Sequence, residues 1–239
     1  MQTLYEEFLD IVYPQFCLGC GQEGSRLCSD CLSLIEVTER RFCPFCSSVD
    51  LFNGRCSRHQ NRALDGLDFA VGEKNFLLEE ALVKFKSPPF CQNLAIPLAS
   101  LIVAHLRLGN YQKELFQPSP VLVPIPLHRK RERERGFNQS LLLARQLAQE
   151  FSLSVRYHWL QRQKNTLLQE GLDSKERQEN LEEAFFCPFP ESIKGQRIIL
   201  VDDVFASGAT MEKAAQVLKN KGANFVWGIT ITRRDFSAW

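Results

Sequence analysis

Two adjacent carboxylates, Asp202 and Asp203, follow the apolar run Ile198-Ile199-Leu200-Val201 and precede Ala206-Ser207-Gly208-Ala209-Thr210. The run reads as a strand buried in a parallel sheet. Its carboxyl end is where open α/β sheets bind ligands. The small residues around Gly208 feed a helical pattern, Met211 to Lys221, so they lie at a helix N-terminus whose free N–H groups and dipole attract an anion. Carboxylates accept sugar hydroxyls and the loop accepts a phosphate, so together they ask for a sugar phosphate. An Asp pair alone can simply cap a helix. Strand, pair, small loop and helix in one run point to a ligand site.

A second group is Cys17-x2-Cys20-x7-Cys28-x2-Cys31, then Cys43-x2-Cys46-x9-Cys56-x2-His59. Each short turn presents two ligands to one tetrahedral ion, and two turns complete its shell. The eight ligands suit two structural zinc ions, with no position left for water. Pairing in chain order follows from the short inner loops, and interleaved pairing is the alternative. The connecting turns are polar, so metal must supply much of the folding free energy of this part.

The third group, Arg129 to Arg135, places five cations in seven residues and runs into Gly136-Phe137-Asn138-Gln139. The alternation of Arg and Glu is also what a solvated helix with i,i+4 pairs shows. Its place directly after the short apolar strand Val121–Pro126 favours a basic loop at a ligand edge.

The elements that must position these groups follow from periodicity. Ala63 to Phe76 reads as strand structure centred on Phe69-Ala70-Val71, and Leu77–Lys86, Leu94–Leu108 and Leu141–Phe151 read as helices. Arg156–Trp159 and Asn224–Thr232 read as strands, with Arg233 and Arg234 at a ligand-facing end. Strand–helix alternation from residue 121 onward gives an α/β fold, a mostly parallel sheet flanked by helices. The chain divides into a cysteine-rich module, 1–62, and a larger domain, 63–239. His105, Cys91 and Cys187 read as core residues. A net charge of +1 excludes a global field for nucleic acid or membrane, so any basic site is local. No run reaches the ~18 apolar residues of a membrane span. Met1 to Glu7 lacks the order of a signal peptide. The expectation is a cytoplasmic protein with reduced cysteines and no membrane insertion.

The Asp202-Asp203 stretch resembles the phosphoribosyl pyrophosphate (PRPP) signature of type I phosphoribosyltransferases. The resemblance implies that Asp202 and Asp203 hold the ribose hydroxyls, and that Ala206, Ser207, Gly208, Ala209 and Thr210 wrap the 5′-phosphate. Ala206 stands where that family usually has Thr or Ser, which implies weaker phosphate binding. Pro-Ile-Pro-Leu-His at 124–128 and Arg-Gly-Phe-Asn-Gln at 135–139 resemble the ComF family. So do Asn165 to Leu172, Arg177, Asn180 and Ala184-Phe185, and the cysteine module extends the likeness over nearly the whole chain. The ComF resemblance implies a double zinc ribbon and a role in DNA uptake during natural transformation, with a DNA-uptake helicase as candidate partner. It implies PRPP or a related sugar phosphate as ligand, with Arg135 and Gly136 beside it and Mg²⁺ bridging diphosphate and ribose. A polar segment, 161–184, is the candidate for a loop closing over PRPP.

Two readings then stand. In the first, phosphoribosyl transfer occurs, and Arg131, Arg133 and Arg135 stabilise the departing pyrophosphate. No residue reads as the base that would activate an acceptor. In the second, a non-catalytic protein senses PRPP or binds single-stranded DNA through the basic loop and zinc module. Phe137, Phe42, Phe45 and Phe52 are then either stacking platforms for bases or small-core packing.

Overall fold

A computed structural model describes residues 14–46, 48–72, 74–163 and 184–234. The segments Asn165–Leu172, Arg177 and Asn180, and most of the polar stretch after Gln161, lie outside the described residues. Helix α1 (Ser29–Ser33) is capped by the Cys28 sulfur, and a 3-10 turn covers Ser57–His59. Strand β1 (Gly66–Val71) leads to α2 (Phe76–Lys86), where the Asn75 side chain accepts the Leu78 N–H and Pro88-Pro89 follow the last turn. Then come α3 (Ala95–Leu108), α4 (Tyr111–Leu115), β2 (Val121–Pro124), α5 (Arg129–Arg135) and α6 (Gln139–Phe151). The chain continues through β3 (Ser154–Val155), β4 (Gln161–Arg162), β5 (Phe185–Phe186) and α7 (Pro190–Ile193). It ends in β6 (Arg197–Val201), β7 (Val204–Phe205), α8 (Ala209–Asn220) and β8 (Phe225–Arg233).

The main sheet is parallel, in the order β1-β8-β6-β2-β3, with β7 pairing beside β8. β4 and β5 form a separate antiparallel pair. From β2 the chain first adds β3 on one side, then returns to β6 and β8 on the other. The crevice outside the carboxyl ends of β2 and β6 is therefore the topological switch point. Both the basic stretch and the Asp pair emerge there. One expectation changes here. Arg156–Trp159 is not a strand: pairing with β2 ends at Val155, and Tyr157–Trp159 turns in a 3-10 helix. In β8, Val226 and Thr230 are as buried as Ile229 and Ile231, because its central place in the sheet covers both faces.

One core lies on each face of the sheet. Cys17, Leu27, Cys31 and Ile35 enter the core formed with α2, α3 and α6, while Phe42 and Phe45 pack against the core beneath α8. The zinc-ribbon region therefore straddles the free edge of β1 and contributes to both cores, closing an edge that would otherwise offer unpaired backbone groups. Thr38 N–H donates to Ala70 O at 2.8 Å where the chain crosses. Beside this crossing, buried Asp68 accepts two bonds from Arg41, at 2.8 and 3.0 Å, and one from Trp227 Nε1 at 2.8 Å. His105 Nε2 lies 3.0 Å from the same carboxylate, which makes His105 a core histidine. Burial opposes the charge on Asp68, but His105 and Arg41 outweigh it and hold the carboxyl below the usual range. Removing one partner of such a cluster leaves the others buried without compensation. Asp68→Ala is expected to cost about 3–5 kcal/mol, measured by denaturant unfolding. A loss under about 1 kcal/mol would show that the cluster behaves as a surface pair.

Candidate functional site

β6 is fully buried from Ile198 to Val201, and Asp202 and Asp203 stand directly beyond it. Asp202 N–H donates to Ile229 O and Ile231 N–H to Asp203 O, each at 3.0 Å, so the backbone of the central strand fixes both carboxylates. Asp202 Oδ1 accepts from Ser140 Oγ at 2.7 Å and from Asp203 N–H at 3.0 Å. Asp203 is buried, and its Oδ2 lies 2.7 Å from Lys86 Nζ. Burial and the neighbouring charge of Asp203 push the Asp202 carboxyl up to about 7, against the pull of Ser140 and Lys86.

After the pair, β7 docks beside β8, and Ala206 and Ser207 are exposed. Gly208 adopts φ +76, and a Cβ there would meet the Phe205 ring at 2.6 Å, so only glycine makes this turn comfortably. It opens α8, a helix of twelve residues whose first N–H groups face the loop. Ala206, Ser207, Gly208, Ala209 and Thr210 thus sit together beside Asp202 and Asp203.

The basic stretch is a helix, not a loop. His128 caps it, its Nδ1 accepting from Lys130 N–H, and Gly136 ends it at φ +82. This separates the three arginines. Arg131 and Arg135 are one turn apart on the inner side and partly covered, whereas Arg133, about 200° round the helix from Arg131, is exposed. Burial lowers the Arg135 pKa, and the carboxylates of Asp203 and Asp202 oppose the shift. Burial likewise lowers Arg162, which feels Arg131 and Asp202. Arg135 and Arg162 therefore lie within charge range of the Asp pair, and Arg131 lies near both of these arginines.

Each residue of Arg135-Gly136-Phe137-Asn138-Gln139-Ser140 has a physical task. Arg135 donates to Gln139 Oε1, and Phe137 packs on Phe85 and Phe90. Asn138 caps α6 by accepting from Ser140 and Leu141 N–H, and its amide donates to Ile125 O at 3.0 Å, clamping the segment after β2. Ser140 reaches Asp202. Lys86 and Ser140 are not among the sequence candidates, and Arg162 enters there only as part of the polar segment 161–184. Ser140 has a local signal, lying at the end of the Arg-Gly-Phe-Asn-Gln string, whereas Lys86 has none.

The metal-ligand atoms converge in chain order: Cys17, Cys20, Cys28 and Cys31 in one cluster, and Cys43, Cys46, Cys56 and His59 in the other, each within 4.8 Å. Thiolates about 2.3 Å from a tetrahedral ion stand roughly 3.8 Å apart. Cys17–Cys28 at 3.6 Å, Cys20–Cys28 at 3.7 Å and Cys46–Cys56 at 3.6 Å match that spacing. His59 Nδ1 lies 3.2 Å from Cys56 and 3.4 Å from Cys43, so it takes a full ligand place. Burial opposes a Cys17 thiolate, but N–H groups of Cys28, Cys20 and Gly19 bring it down to about 6. Arg233, expected at a ligand face, instead turns to the ribbon. It donates to Cys43 O and Cys46 O at 3.0 Å each.

Residues 138–234 match the phosphoribosyl transferase domain family, and residues 8–60 match the double zinc ribbon domain. Competence protein ComFC of Bacillus subtilis (strain 168) is 30% identical over 204 residues, 82% of this chain and 79% of that protein. The chain belongs to the ComF family. Competence protein F of Haemophilus influenzae is 32% identical over 135 residues, 55% of this chain, and the match spans 58% of that protein. DNA utilization protein YhgH of Escherichia coli (strain K12) is 28% identical over 213 residues, covering 86% of this chain and 88% of that protein. This ComF member carries structural zinc clusters at its N-terminal side and the phosphoribosyltransferase fold beyond them. β1 and β2, outside the matched segment, complete the same sheet. Among the described residues no helix is long and apolar enough to cross a membrane.

The raised Asp202 pKa sets a pH dependence for this ComF member. A proton on Asp202 competes with a ligand that needs the anion. Affinity for a sugar phosphate with Mg²⁺ is expected to rise up to about tenfold per pH unit below 7 and level off above it. The proton belongs to the coupled pair rather than to one carboxyl. Titrations from pH 5.5 to 8.5, in buffers of differing ionisation enthalpy, would register the released proton. A flat profile removes the shift. For stability the sign is opposite. The folded pKa lies above the unfolded value, so this group's contribution falls as pH rises from about 4 to 7.

Proposed function

We propose that this chain binds PRPP with Mg²⁺ at the carboxyl ends of β2 and β6 and works in DNA uptake. The carrying observation is the set of opposed groups at the switch point. Asp202 and Asp203 stand beside the N-terminus of α8, and Arg135 and Arg162 lie within their charge range, with Arg131 near both arginines. In this reading Asp202 and Asp203 orient the ribose hydroxyls. Ala206 to Thr210 take the 5′-phosphate on backbone N–H groups. Arg131 and Arg135 take the diphosphate, and Gly136 ends the helix that presents them. Mg²⁺ supplies a hard cation that screens the diphosphate, and the oxygen donors of Asp202 and Asp203 suit it. Phosphoribosyl transfer fits these groups, because stabilising the leaving diphosphate is work for fixed cations. Two zinc ions, one per cluster, complete an N-terminal module of residues 1–62 ahead of a domain of 63–239. Reduced thiols suit the cytoplasm. The test is calorimetric titration with PRPP and Mg²⁺, with pyrophosphate release as the readout of transfer.

A role in DNA handling is supported by the names of the relatives and by the outer face of α5, where Arg129, Lys130 and Arg133 are exposed. Stacking on Phe137, Phe42 or Phe45 does not support it. Phe137 is buried, Phe42 stacks on Phe69, and Phe45 packs against His59. Phe52 is 71% exposed and stays available. Each phosphate contact on a single strand contributes about −0.7 to the log–log salt slope. Lys130→Gln with Arg133→Gln is therefore expected to flatten the slope by roughly 1.4 and leave PRPP affinity unchanged. Arg131→Gln should do the reverse. An unaltered slope in the double variant moves DNA off this helix. A DNA-uptake helicase is the candidate protein partner in the same reading.

A further inference from the structure

We propose that Glu212 is a positioning residue for the 206–210 loop and couples that loop to the metal of the second cluster. The inference rests on reading the loop as the phosphate seat of PRPP and adds what holds that seat in place. Glu212 lies in the first turn of α8, and its own N–H donates to Gly208 O at 2.9 Å. Its side chain turns inward, and the residue is 6% exposed. One carboxylate oxygen accepts Ala63 N–H at 2.9 Å, and the other accepts Leu64 N–H at 3.0 Å. Two successive backbone donors and the positive end of the helix dipole compensate this buried charge. Both donors belong to the stretch that leaves the second cluster, since Ala63 follows the ligand His59 by four residues. Within that stretch Arg62 N–H donates to His59 O at 3.3 Å, and Gln60 Nε2 donates to Cys56 O at 3.1 Å. The chain then runs along α8, where Asp65 Oδ2 lies 2.7 Å from Lys219 Nζ, two turns beyond Glu212.

A zinc ribbon is ordered with its metal and loses its fold without it, so the second cluster is a two-state element. With metal held, residues 60–64 keep the register in which both N–H groups meet Glu212. Without it those donors are released to water, and a buried carboxylate loses its partners. The first turn of α8 must then shift to rehydrate Glu212, and Gly208 and the loop before it move with that turn. A phosphate seated on the loop stabilises the ordered turn instead. Metal and sugar phosphate thus select one arrangement, and linkage makes the effect reciprocal. The metal strengthens PRPP binding, and PRPP helps retain the metal. This path enters through α8, apart from the Arg233 contacts, which enter through β8.

The experiment uses the full chain with cobalt in place of zinc, because an all-thiolate site and a site with one imidazole absorb differently. Loss of each metal to excess chelator is then followed by its own band, and PRPP affinity is measured by calorimetry on the same protein. PRPP with Mg²⁺ is expected to slow release from the Cys43, Cys46, Cys56 and His59 site by about fivefold or more. The first cluster should release at an unchanged rate. Glu212→Gln keeps size but turns an amide N–H against one of the two backbone donors. It should abolish the slowing and weaken PRPP by about tenfold, with the first cluster reporting that the variant is folded. Lys219→Gln cuts the same stretch from the far end of α8 and should leave both quantities as in the wild type. PRPP binding to the wild type without any slowing overturns the coupling and leaves the phosphoribosyl site standing. Slowing that survives Glu212→Gln, or equal losses in Glu212→Gln and Lys219→Gln, overturns the role of Glu212. A wild-type chain that binds no PRPP removes the phosphoribosyl reading and this coupling together.

Discussion

Replacing Cys43 with Ser is expected to release the metal of the second cluster and loosen the end of the sheet beside the 206–210 loop with it. Structural zinc supplies on the order of 10 kcal/mol of apparent binding free energy in small ribbons. Here part of that stabilisation is shared with ordinary packing, because Phe42 and Phe45 also lie on the core beneath α8. A loss of about 5 kcal/mol in a chain of this size lowers the thermal midpoint by roughly 10–20 °C. The path from the cluster is short. Arg233 loses its grip on the Cys43 and Cys46 carbonyls, and its neighbour Arg234 holds Phe205 O through its N–H at 2.9 Å. Phe205 in turn packs under Gly208. Hydrogen exchange should therefore accelerate first in the ribbon, then in β7 and the last residues of β8. Elemental analysis should fall from two zinc ions to one. Carefully prepared wild-type protein without zinc, or a variant with unchanged midpoint, would refute this account.

Asp202→Asn and Asp203→Asn should each weaken PRPP binding by about 1–3 kcal/mol, roughly 5- to 150-fold. Both changes keep size and remove charge. They are not equivalent. Asn at 202 can still accept from Ser140, whereas Asn at 203 leaves the Lys86 ammonium without its carboxylate. The two carboxylates are neighbours in one field, so the double variant should fall short of the sum of the single losses. The single variants also separate the pH effect, since Asp203→Asn removes the neighbouring charge that, together with burial, raises Asp202. Binding should then level off at lower pH than in the wild type. Wild-type affinity in the double variant would take both residues out of the site.

What the sequence determined by itself is local chemistry. Cys and His spacings define the four ligand pairs because a knuckle turn is a contact within a few residues, while the structure decided that the pairs combine in chain order. The run Ile198 to Thr210 defines strand, carboxylates, turn and helix because each follows from its neighbours. The helix of Arg129 to Arg135 was legible only as an alternative, since alternating Arg and Glu suits a helix and a solvated loop alike. Only the tertiary structure decided which side chains meet. Lys86 lies more than a hundred residues from Asp203 in the chain and carries no motif, yet packing of α2 against the sheet brings them together. Arg233 sits on the last strand and serves the ribbon because the N-terminal region wraps the β1 edge. Helical geometry also chose between arginines, turning Arg131 and Arg135 inward and Arg133 to solvent. These outcomes depend on how faces pack across long chain separations, and local spacing carries no record of that.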